Sequence, residues 1–408
     1  MAIARADIIQ VRNCIRNNNF LKARDFLTRR KLTHDTLVQL LPKVELHYHL
    51  DGAVRPETIF DESVKQEIDL RQVSQRLPVG YTVDDIRRVT SMQEGEKITD
   101  FMAFLTDKFF LPLAVMQTRT SLERIAYEAT EDGFADGLFH REIIFAPCLH
   151  TRNGLSYNLI MDSILSGLRR GANEFGISSS LRPSIYRNMV DDPEFADHPL
   201  KTVEAAIRAR DTYNDDIRIA LDLVGHEAPY PPSDERYKAA FDLAIGQKLL
   251  MSIHAGEQPG TAGNVFYAFD NLDVRRIGHG IDVMTLDLSP DQIGQLKKCT
   301  FELCPSSNVM LGNTSGGFEG YPLMKMLELG LRPTVSTDDA TVFGTTLTNE
   351  FLRLEEMPGF KVFENGQVSD VYKRLQENAL TGAFMTRWRK QHLREEFQSH
   401  YDFIKSLI

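Results

Sequence analysis

The sequence predicts an α/β protein built as a parallel (β/α)8 barrel of the TIM type. Eight short apolar runs alternate with amphipathic segments of helical spacing, which is the pattern of parallel strands connected by helices. No Gly-x-Gly-x-x-Gly motif follows the first run, so an open, doubly wound sheet is the less favoured alternative. The predicted strands are residues 44–52, 141–147, 179–184, 218–224, 249–254, 275–279, 300–304 and 332–337.

The first predicted strand, residues 44–52, alternates apolar and polar side chains. Residues at i and i+2 of a strand share a face, so His47 and His49 project side by side with the Asp51 carboxylate beyond them. An isolated His-x-His pair is more often a feature of an exposed strand than a metal site. The strand is therefore competent to bind a metal ion, but the inference needs support from the rest of the chain.

Helices are predicted before, between and after the strands. Residues 1–40 are expected to form an N-terminal helical arm that packs on a single barrel domain, residues 41–408. About 90 residues separate the first two strands, far more than a minimal crossover needs, which predicts extra helices there. One of them, at 92–113, carries phenylalanines suited to the core or to an apolar lid. Further helices are predicted at 121–135, 159–175, 200–213, 235–245, 289–298 and 322–329 and within 368–408.

Composition narrows the classes of protein and partner. The 408 residues are 42% hydrophobic and 25% charged, as in ordinary globular proteins, and the net charge of −10 argues against nucleic acid as the main partner. None of the four cysteines forms a Cys-x-x-Cys pair, which gives no indication of a zinc knuckle or redox motif. No signal-like or membrane-spanning apolar run occurs, so we expect a cytoplasmic protein without a membrane partner.

Exceptional polar residues fall at the predicted carboxyl ends of the strands, where barrel enzymes carry their chemistry. Taken singly, each has a more ordinary structural role, such as a helix cap or a buried histidine. Their joint placement at one rim favours a functional site. These residues are His47, His49, Gly225, His254, Glu257, His279, Asp338 and Asp339.

Three neutral imidazoles and one carboxylate suit a divalent ion, zinc above all, with one position open for water or substrate. The predicted ligands of one zinc ion per chain are His47, His49, His254 and Asp338. The strands at 179–184 and 218–224 contain no lysine that could bridge a second metal, which predicts a mononuclear site.

Two groups beside the predicted metal fit acid–base chemistry. Hydrolysis of an aromatic amine needs a base for the attacking water and an acid that protonates a ring nitrogen. His279 and Glu257 fit these two tasks, respectively.

Five motifs occur together with these residues: PKVELHYHLDG at 42–52, HAGE at 254–257, GHG at 278–280, CPSSN at 304–308 and STDD at 336–339. Together they resemble the adenosine deaminase family of zinc-dependent amidohydrolase barrels. The resemblance extends over about residues 42–354, with the motifs in family order on the predicted strands.

The resemblance implies a role for each matched residue. Glu257 would donate a proton to purine N1, and His279 would orient and deprotonate the water next to Asp338. Asp339 would bond purine N7, the Gly225 N–H would serve N3, Asp51 would meet the ribose 5′-hydroxyl, and His49 would also lie beside the substrate. The implied reaction is hydrolytic deamination of adenosine and 2′-deoxyadenosine to inosine and ammonia, in purine salvage.

The sequence leaves several alternatives open. Ala340 stands where many relatives carry proline, and His226 where the animal enzymes carry an acid. The substrate could instead be adenine or a modified adenosine, and a non-catalytic scaffold that binds zinc or a nucleoside is a third possibility. The carboxylates of the motifs outweigh one dication, which favours a neutral nucleoside over a nucleotide. A phosphate would need a basic side chain, for which Arg55, Arg182 and Arg187 are candidates.

Overall fold

The structure is a computed structural model that describes residues 4–17, 19–28, 32–93, 96, 101–213 and 217–408. Its main feature is a ring of parallel strands. The strands are β1 Lys43–His49, β2 Leu138–Phe145, β3 Ser178–Tyr186, β4 Arg218–Val224, β5 Leu250–Met251, β6 Ile253–Ala255, β7 Arg276–His279, β8 Thr300–Leu303 and β9 Arg332–Val335.

Two parallel sheets join to close the ring. One sheet has the order β1-β2-β3-β4-β5 and the other β6-β7-β8-β9. The segments β5 and β6 form one strand interrupted at Ser252, whose N–H donates to Leu221 O at 2.9 Å. At the other seam, His49 N donates to Asp338 O and Asp338 N donates to His47 O, both at 3.1 Å. The predicted eight-stranded barrel is therefore confirmed.

Helices surround the barrel and extend beyond it at both ends of the chain. Those before and within the first crossover are α1 Arg5–Arg16, α2 Phe20–Thr28, α3 His34–Leu40, α4 Pro56–Lys65, α5 Val83–Thr90, α6 Phe101–Val115 and α7 Arg119–Ala135. The later ones are α8 Tyr157–Phe175, α9 His198–Thr212, α10 Lys238–Gly246, α11 Ala262–Asn271, α12 Pro290–Leu296, α13 Pro305–Met310, α14 Leu323–Glu328, α15 Leu347–Leu354, α16 Asp370–Gly382 and α17 Arg387–Lys405. A short hairpin, β10 Phe363–Glu364 and β11 Gln367–Val368, precedes α16.

Local chemistry sets several helix ends. The α7 helix begins with a capping box between Thr118 and Ser121, and α12 begins with one between Ser289 and Gln292. The α8 helix ends at Gly176, whose φ of 70° is a left-handed conformation that glycine adopts without strain. These ends set the lengths of the connections that return the chain to the next strand.

Most helix predictions are confirmed, with shifted boundaries. The helix predicted at 92–113 begins instead at Phe101, and residues 94–95 and 97–100 of that prediction lie outside the described residues. The predicted arm corresponds to α1, α2 and α3, apart from residues 1–3, 18 and 29–31, which are not described. The apolar side of α1, including Val11 and Ile15, joins the main hydrophobic core. The domain boundary between residues 40 and 41 stays a prediction.

The barrel interior is charged. Glu45 of β1 pairs with Arg141 of β2 at 2.7 Å, and Arg276 of β7 pairs with Glu142 of β2 at 3.0 Å, and all four side chains are buried. The polar face of β1 therefore points into the barrel, whereas its apolar face packs on the surrounding helices. No helix in the described part of the chain is long and apolar enough to cross a membrane.

Candidate active site at the carboxyl ends of the barrel strands

A cavity of about 390 Å³ opens at the carboxyl ends of the strands. Among the sequence-predicted site residues, those in its wall are His49, Asp51, Gly225, His254, Glu257, His279, Asp338 and Asp339. His47 lies beneath the wall, fully buried, with its ring against those of His49 and His254. The structure thus brings all nine predicted residues to one site.

Three imidazole nitrogens converge at the floor of the cavity. His47 Nε2 lies 3.1 Å from His49 Nε2, which lies 3.1 Å from His254 Nε2. The Asp338 Oδ1 atom lies 3.6 Å from His47 Nε2 and 3.4 Å from His49 Nε2. The three histidines form one candidate metal-binding group, and Asp338 belongs to two others that overlap it.

In His47 and His254, the hydrogen bond made by Nδ1 determines whether Nε2 is available to bind a metal ion. His47 Nδ1 lies 2.9 Å from Glu302 Oε2, and His254 Nδ1 lies 3.1 Å from Asp222 Oδ1. A carboxylate can only accept, so each Nδ1 donates its proton, and in the neutral form of each ring the Nε2 lone pair is directed to the cluster. Facing lone pairs repel one another, and a divalent cation removes that repulsion. The donor set therefore fits zinc.

Protonation of the cluster agrees with this fit. Burial lowers the pKa of His49 and of His254, which keeps both rings in the neutral form that binds metals. Burial also lowers the pKa of His47, but its hydrogen bonds to Asp338 and Glu302 outweigh burial and raise the value to about 9. Without a metal, His47 therefore holds an extra proton at neutral pH, and a dication would take the place of that proton at the centre of the cluster.

Glu257 is held beside the cluster by a carboxylate that the sequence reasoning missed. The buried Glu227 accepts from the backbone N–H groups of Gly256 and Glu257 at 2.8 and 3.0 Å, from Thr261 Oγ1 at 3.0 Å and from Asn264 Nδ2 at 2.8 Å. The loop after β4 therefore does carry an acid, Glu227, one residue after His226, the position at which the animal enzymes carry theirs. Burial, with the nearby Asp338 and Glu227 charges, raises the pKa of Glu257 to about 8. Glu257 therefore carries a proton at neutral pH.

His279 is oriented by two residues that sequence reasoning did not assign. Tyr321 OH donates to Asn308 Oδ1 at 2.8 Å, so the Asn308 amide turns its Nδ2 toward His279 Nδ1, 3.1 Å away. The neutral His279 ring therefore carries its proton on Nε2, which lies 3.9 Å from Glu257 Oε1 and 3.8 Å from Asp338 Oδ2. Burial lowers the pKa of His279 to about 3, so the ring stays neutral.

The adjacent carboxyls of Asp338 and Asp339 differ in charge. Burial raises the pKa of Asp338, but contacts with His47 and His279 outweigh it and hold the value well below the usual range. Burial, together with the Asp338 and Asp51 charges, raises the pKa of Asp339 well above the usual range. Among the described residues, Asp339 Oδ1 is buried without a hydrogen-bond partner. A neutral Asp339 carboxyl can donate to a ligand in the cavity.

Asp51 and Gly225 lie farther along the wall. The Asp51 carboxylate accepts from Ala146 N at 3.2 Å and pairs with His150 Nε2 at 2.9 Å, and His150 is a fully buried residue that the sequence did not indicate. Each Asp51 oxygen retains a lone pair for a hydroxyl. Gly225 has a φ of 104°, and a Cβ there would lie 2.4 Å from Asn188 Oδ1, so this position requires glycine.

The three arginines proposed as phosphate partners are engaged elsewhere. Arg55 pairs with Glu131 and Asp132, and Arg187 donates to His254 O. Arg182 is fully buried beneath the cluster and does not line the cavity. In the part of the wall that the structure describes, the one arginine or lysine is Arg152, which is exposed.

Fold and cavity together define a class: the protein is a (β/α)8 barrel with its candidate site at the carboxyl ends of its strands, where barrel enzymes carry out their chemistry. The sequence profile described as adenosine deaminase matches residues 42–400. Over 358 residues, the chain is 32% identical to the adenosine deaminase of Clostridium botulinum, covering 87% of this chain and 98% of the relative. The chain therefore belongs to the adenosine deaminase family and is a hydrolytic deaminase.

Solved structures share the fold. An adenine deaminase from Arthrobacter aurescens has a TM-score of 0.72 and 27% identity, covering 88% of this chain and 98% of its own. An amidohydrolase from Burkholderia ambifaria, solved with bound zinc, has a TM-score of 0.74 and 23% identity, covering 93% and 96%. The predicted resemblance to the family is confirmed.

Proposed function

We propose that the protein hydrolyses adenosine, and 2′-deoxyadenosine, to inosine and ammonia with one zinc ion per chain. The observation that carries the proposal is the placement of the buried Glu257, whose pKa burial raises to about 8, in the same cavity as three converging imidazole nitrogens. Relatives named adenosine deaminase, matched along nearly their whole length, support this substrate. The proposal places the reaction in purine salvage.

The zinc ligands would be His47, His49, His254 and Asp338. The neutral His49 and His254 and the ionised Asp338 suit a dication, which would displace the extra proton of His47, and a structure of this fold was solved with zinc. Zinc, when bound, lowers the pKa of a water molecule toward neutrality and so makes it a nucleophile.

The remaining groups divide the proton transfers. Glu257 donates its carboxyl proton to purine N1, which makes the neighbouring ring carbon electrophilic. His279 orients the attacking water by donating from Nε2, because Asn308 occupies Nδ1. This hydrogen bond leaves His279 poorly suited to the predicted role of base. The proton of the water passes instead to the ionised Asp338, 3.8 Å from His279 Nε2. Asp338 then gives this proton to the amino group, which leaves as ammonia as the C–N bond breaks. The hydroxyl proton left on the attacked carbon returns to the Glu257 carboxylate, which gives the carbonyl of inosine and restores the acid.

The other wall residues would hold the nucleoside. A protonated Asp339 donates to purine N7, the Gly225 N–H meets N3, and Asp51 accepts from the ribose 5′-hydroxyl. Asp51 is fixed by Ala146 N and His150, so it offers an acceptor already in place. His49 borders the same cavity.

Adenine and AMP are the two alternative substrates considered for this site. Adenine is favoured by the fold relative named adenine deaminase, which is 27% identical. AMP would bring a phosphate next to Asp51, where like charges repel. Arg152 at the exposed part of the wall is the cation that could offset this repulsion.

The test compares kcat/KM for adenosine, 5′-deoxyadenosine, adenine and AMP. An unpaired buried acceptor costs about 1–3 kcal/mol, so 5′-deoxyadenosine should react about 5-fold to 150-fold less efficiently than adenosine. Adenine, which lacks every ribose contact, should react more slowly still. The Arg152→Ala variant controls for phosphate binding, since it should lower only the value for AMP. A higher kcat/KM for adenine or AMP than for adenosine would refute the assigned substrate.

A further inference from the structure

A buried guanidinium lies directly behind the histidine cluster. Arg182 of β3 is fully buried, and its Nη2 donates to Asp222 Oδ2 while its Nη1 donates to Glu302 Oε2, the latter at 2.9 Å. These are the carboxylates that accept from Nδ1 of His254 and His47, respectively. One cation therefore bridges the two carboxylates that hold two of the proposed zinc ligands.

The two carboxylates depend on Arg182 to different degrees. Glu302 has a second cation, because its Oε1 accepts from Arg276 Nε at 2.8 Å and from Ser252 Oγ at 3.0 Å. Asp222 accepts from His254 and from the Leu223 N–H, and Arg182 is its one arginine or lysine partner among the described residues. Loss of Arg182 would therefore free Asp222 more than Glu302.

Packing alone does not require a guanidinium here. Removing a charge from water is costly, and an apolar side chain of similar volume is often at least as stabilising. The Nε of Arg182 is buried without a hydrogen-bond partner among the described residues, so no hydrogen bond offsets the free-energy cost of removing that N–H group from water. The Nη1 atom also donates to the backbone carbonyl of Leu46, the residue before His47. Three Arg182 contacts thus converge on the supports of the ligand histidines.

We infer that Arg182 is a positioning residue for the metal site: by bridging Asp222 and Glu302 it fixes, as one unit, the two carboxylates that orient His254 and His47. The inference rests on the proposed zinc site. A planar guanidinium can donate along two fixed directions to two acceptors, whereas a lysine ammonium is a compact charge on a flexible stem. Arginine is therefore the side chain that this bridge needs.

The test measures the rate at which purified, zinc-loaded protein releases zinc to a chelator. Loss of a group that orients a ligand typically lowers metal affinity by about 10-fold to 100-fold, so Arg182→Met should release zinc at least about 10-fold faster than the wild type. Arg182→Lys should fall between the two. In a cobalt-loaded sample, Arg182→Met should also alter the visible absorption bands, which report ligand geometry.

The matched control is Arg12→Met. Arg12 is equally an internal arginine, 5% exposed, but it donates to Leu138 O at 3.3 Å and contacts none of the ligand-holding carboxylates. It should lower the thermal midpoint of the metal-free protein without changing zinc release. Asp222→Asn, which keeps the shape of the side chain, supplies the comparison if Arg182→Met does not fold. It should also release zinc faster, and in its presence Arg182→Lys should add little further effect.

The outcomes separate the inference from the proposed function. If the wild type binds no zinc, the proposed zinc site is wrong. If the wild type binds zinc but Arg182→Met and Asp222→Asn release it at the wild-type rate, or no faster than Arg12→Met, the positioning role is overturned.

Discussion

At the scale of single residues, burial assigns opposite protonation states to neighbouring carboxyls. Glu257 and Asp339 are neutral because desolvation and the charge of Asp338 disfavour their ionised forms. Asp338 stays ionised because the histidines around it compensate for its burial. One small cavity can therefore hold both a proton donor, Glu257, and an ionised carboxylate that can bind a metal ion, Asp338.

Replacement of Glu257 by glutamine should separate binding from turnover. The Glu257→Gln side chain keeps its size but has no carboxyl proton to transfer, so kcat should fall by about 10²-fold or more while zinc content and nucleoside affinity persist. The exposed Glu364→Gln substitution is the control and should leave kcat unchanged. Turnover of Glu257→Gln near the wild-type value would place the acid elsewhere.

The dependence of kcat/KM on pH should show a descending alkaline limb. Glu257 must be protonated to act as an acid, so activity is retained below its pKa and lost as pH rises through that value, which burial raises to about 8. A bound dication lowers the same pKa, which places the limb at or below pH 8. Stopped assays across the pH range check this, and activity still rising at about pH 9 would contradict the assignment.

At this scale, sequence reasoning predicted the metal-binding and acid–base residues of the motifs but not the residues that hold them in position. His47, His49, His254 and Asp338 were predicted from their positions at strand ends, and the structure brings them together. Glu227 and His150 act through partners 29 to 99 residues away in the chain, which no local pattern reveals. Asn308 lies in the CPSSN motif, but its role as the partner of His279, 29 residues away, was not predicted. Arg182 was considered as a phosphate ligand, whereas the fold buries it against Asp222 and Glu302.

At the scale of elements, element types were predicted more accurately than element ends. The strand β2 begins at Leu138 rather than residue 141, because apolar and polar residues alike are buried there against β1 and β3. The fifth strand divides at Ser252, whose Oγ donates to Glu302. Contacts across the barrel, which no window of sequence contains, set both features.

The α1 helix should contribute to stability but not to catalysis. Ile15 is 2% exposed in the main core, so Ile15→Ala should lower the free energy of unfolding by about 2–5 kcal/mol. Leu21→Ala is the control, because that side chain is 79% exposed and its removal should have little effect. Denaturant unfolding measures both. Equal stability of the two variants would mean that the arm does not belong to the cooperative core.

At the scale of the whole molecule, the barrel interior links the metal cluster to the strands. Buried charges on β1, β2, β3, β4, β7 and β8 pair across the interior, so the rigid sheet itself fixes the ligand supports. Zinc bound to this framework should stabilise the whole fold, by about 4 kcal/mol when free zinc exceeds the dissociation constant 1,000-fold. The thermal midpoint should therefore rise on zinc addition.

Loss of one ligand should remove both the metal and this stabilisation. His254→Ala should retain little zinc by elemental analysis, and zinc should no longer raise its thermal midpoint. His392→Ala is the matched histidine control. His392 is partly exposed on α17, where it stacks on Trp388 and pairs with Glu396, and it is not one of the proposed zinc ligands. Wild-type zinc content in His254→Ala, or two metal ions in each wild-type chain, would refute the ligand assignment.

The most direct measurement is the conversion of adenosine by purified protein that contains one zinc ion per chain. The products should be inosine and ammonia in equal amounts, formed at a rate that depends on zinc and on Glu257. Adenosine that remains unchanged with the zinc-loaded wild type, or turnover of equal rate by Glu257→Gln, would contradict the proposed function.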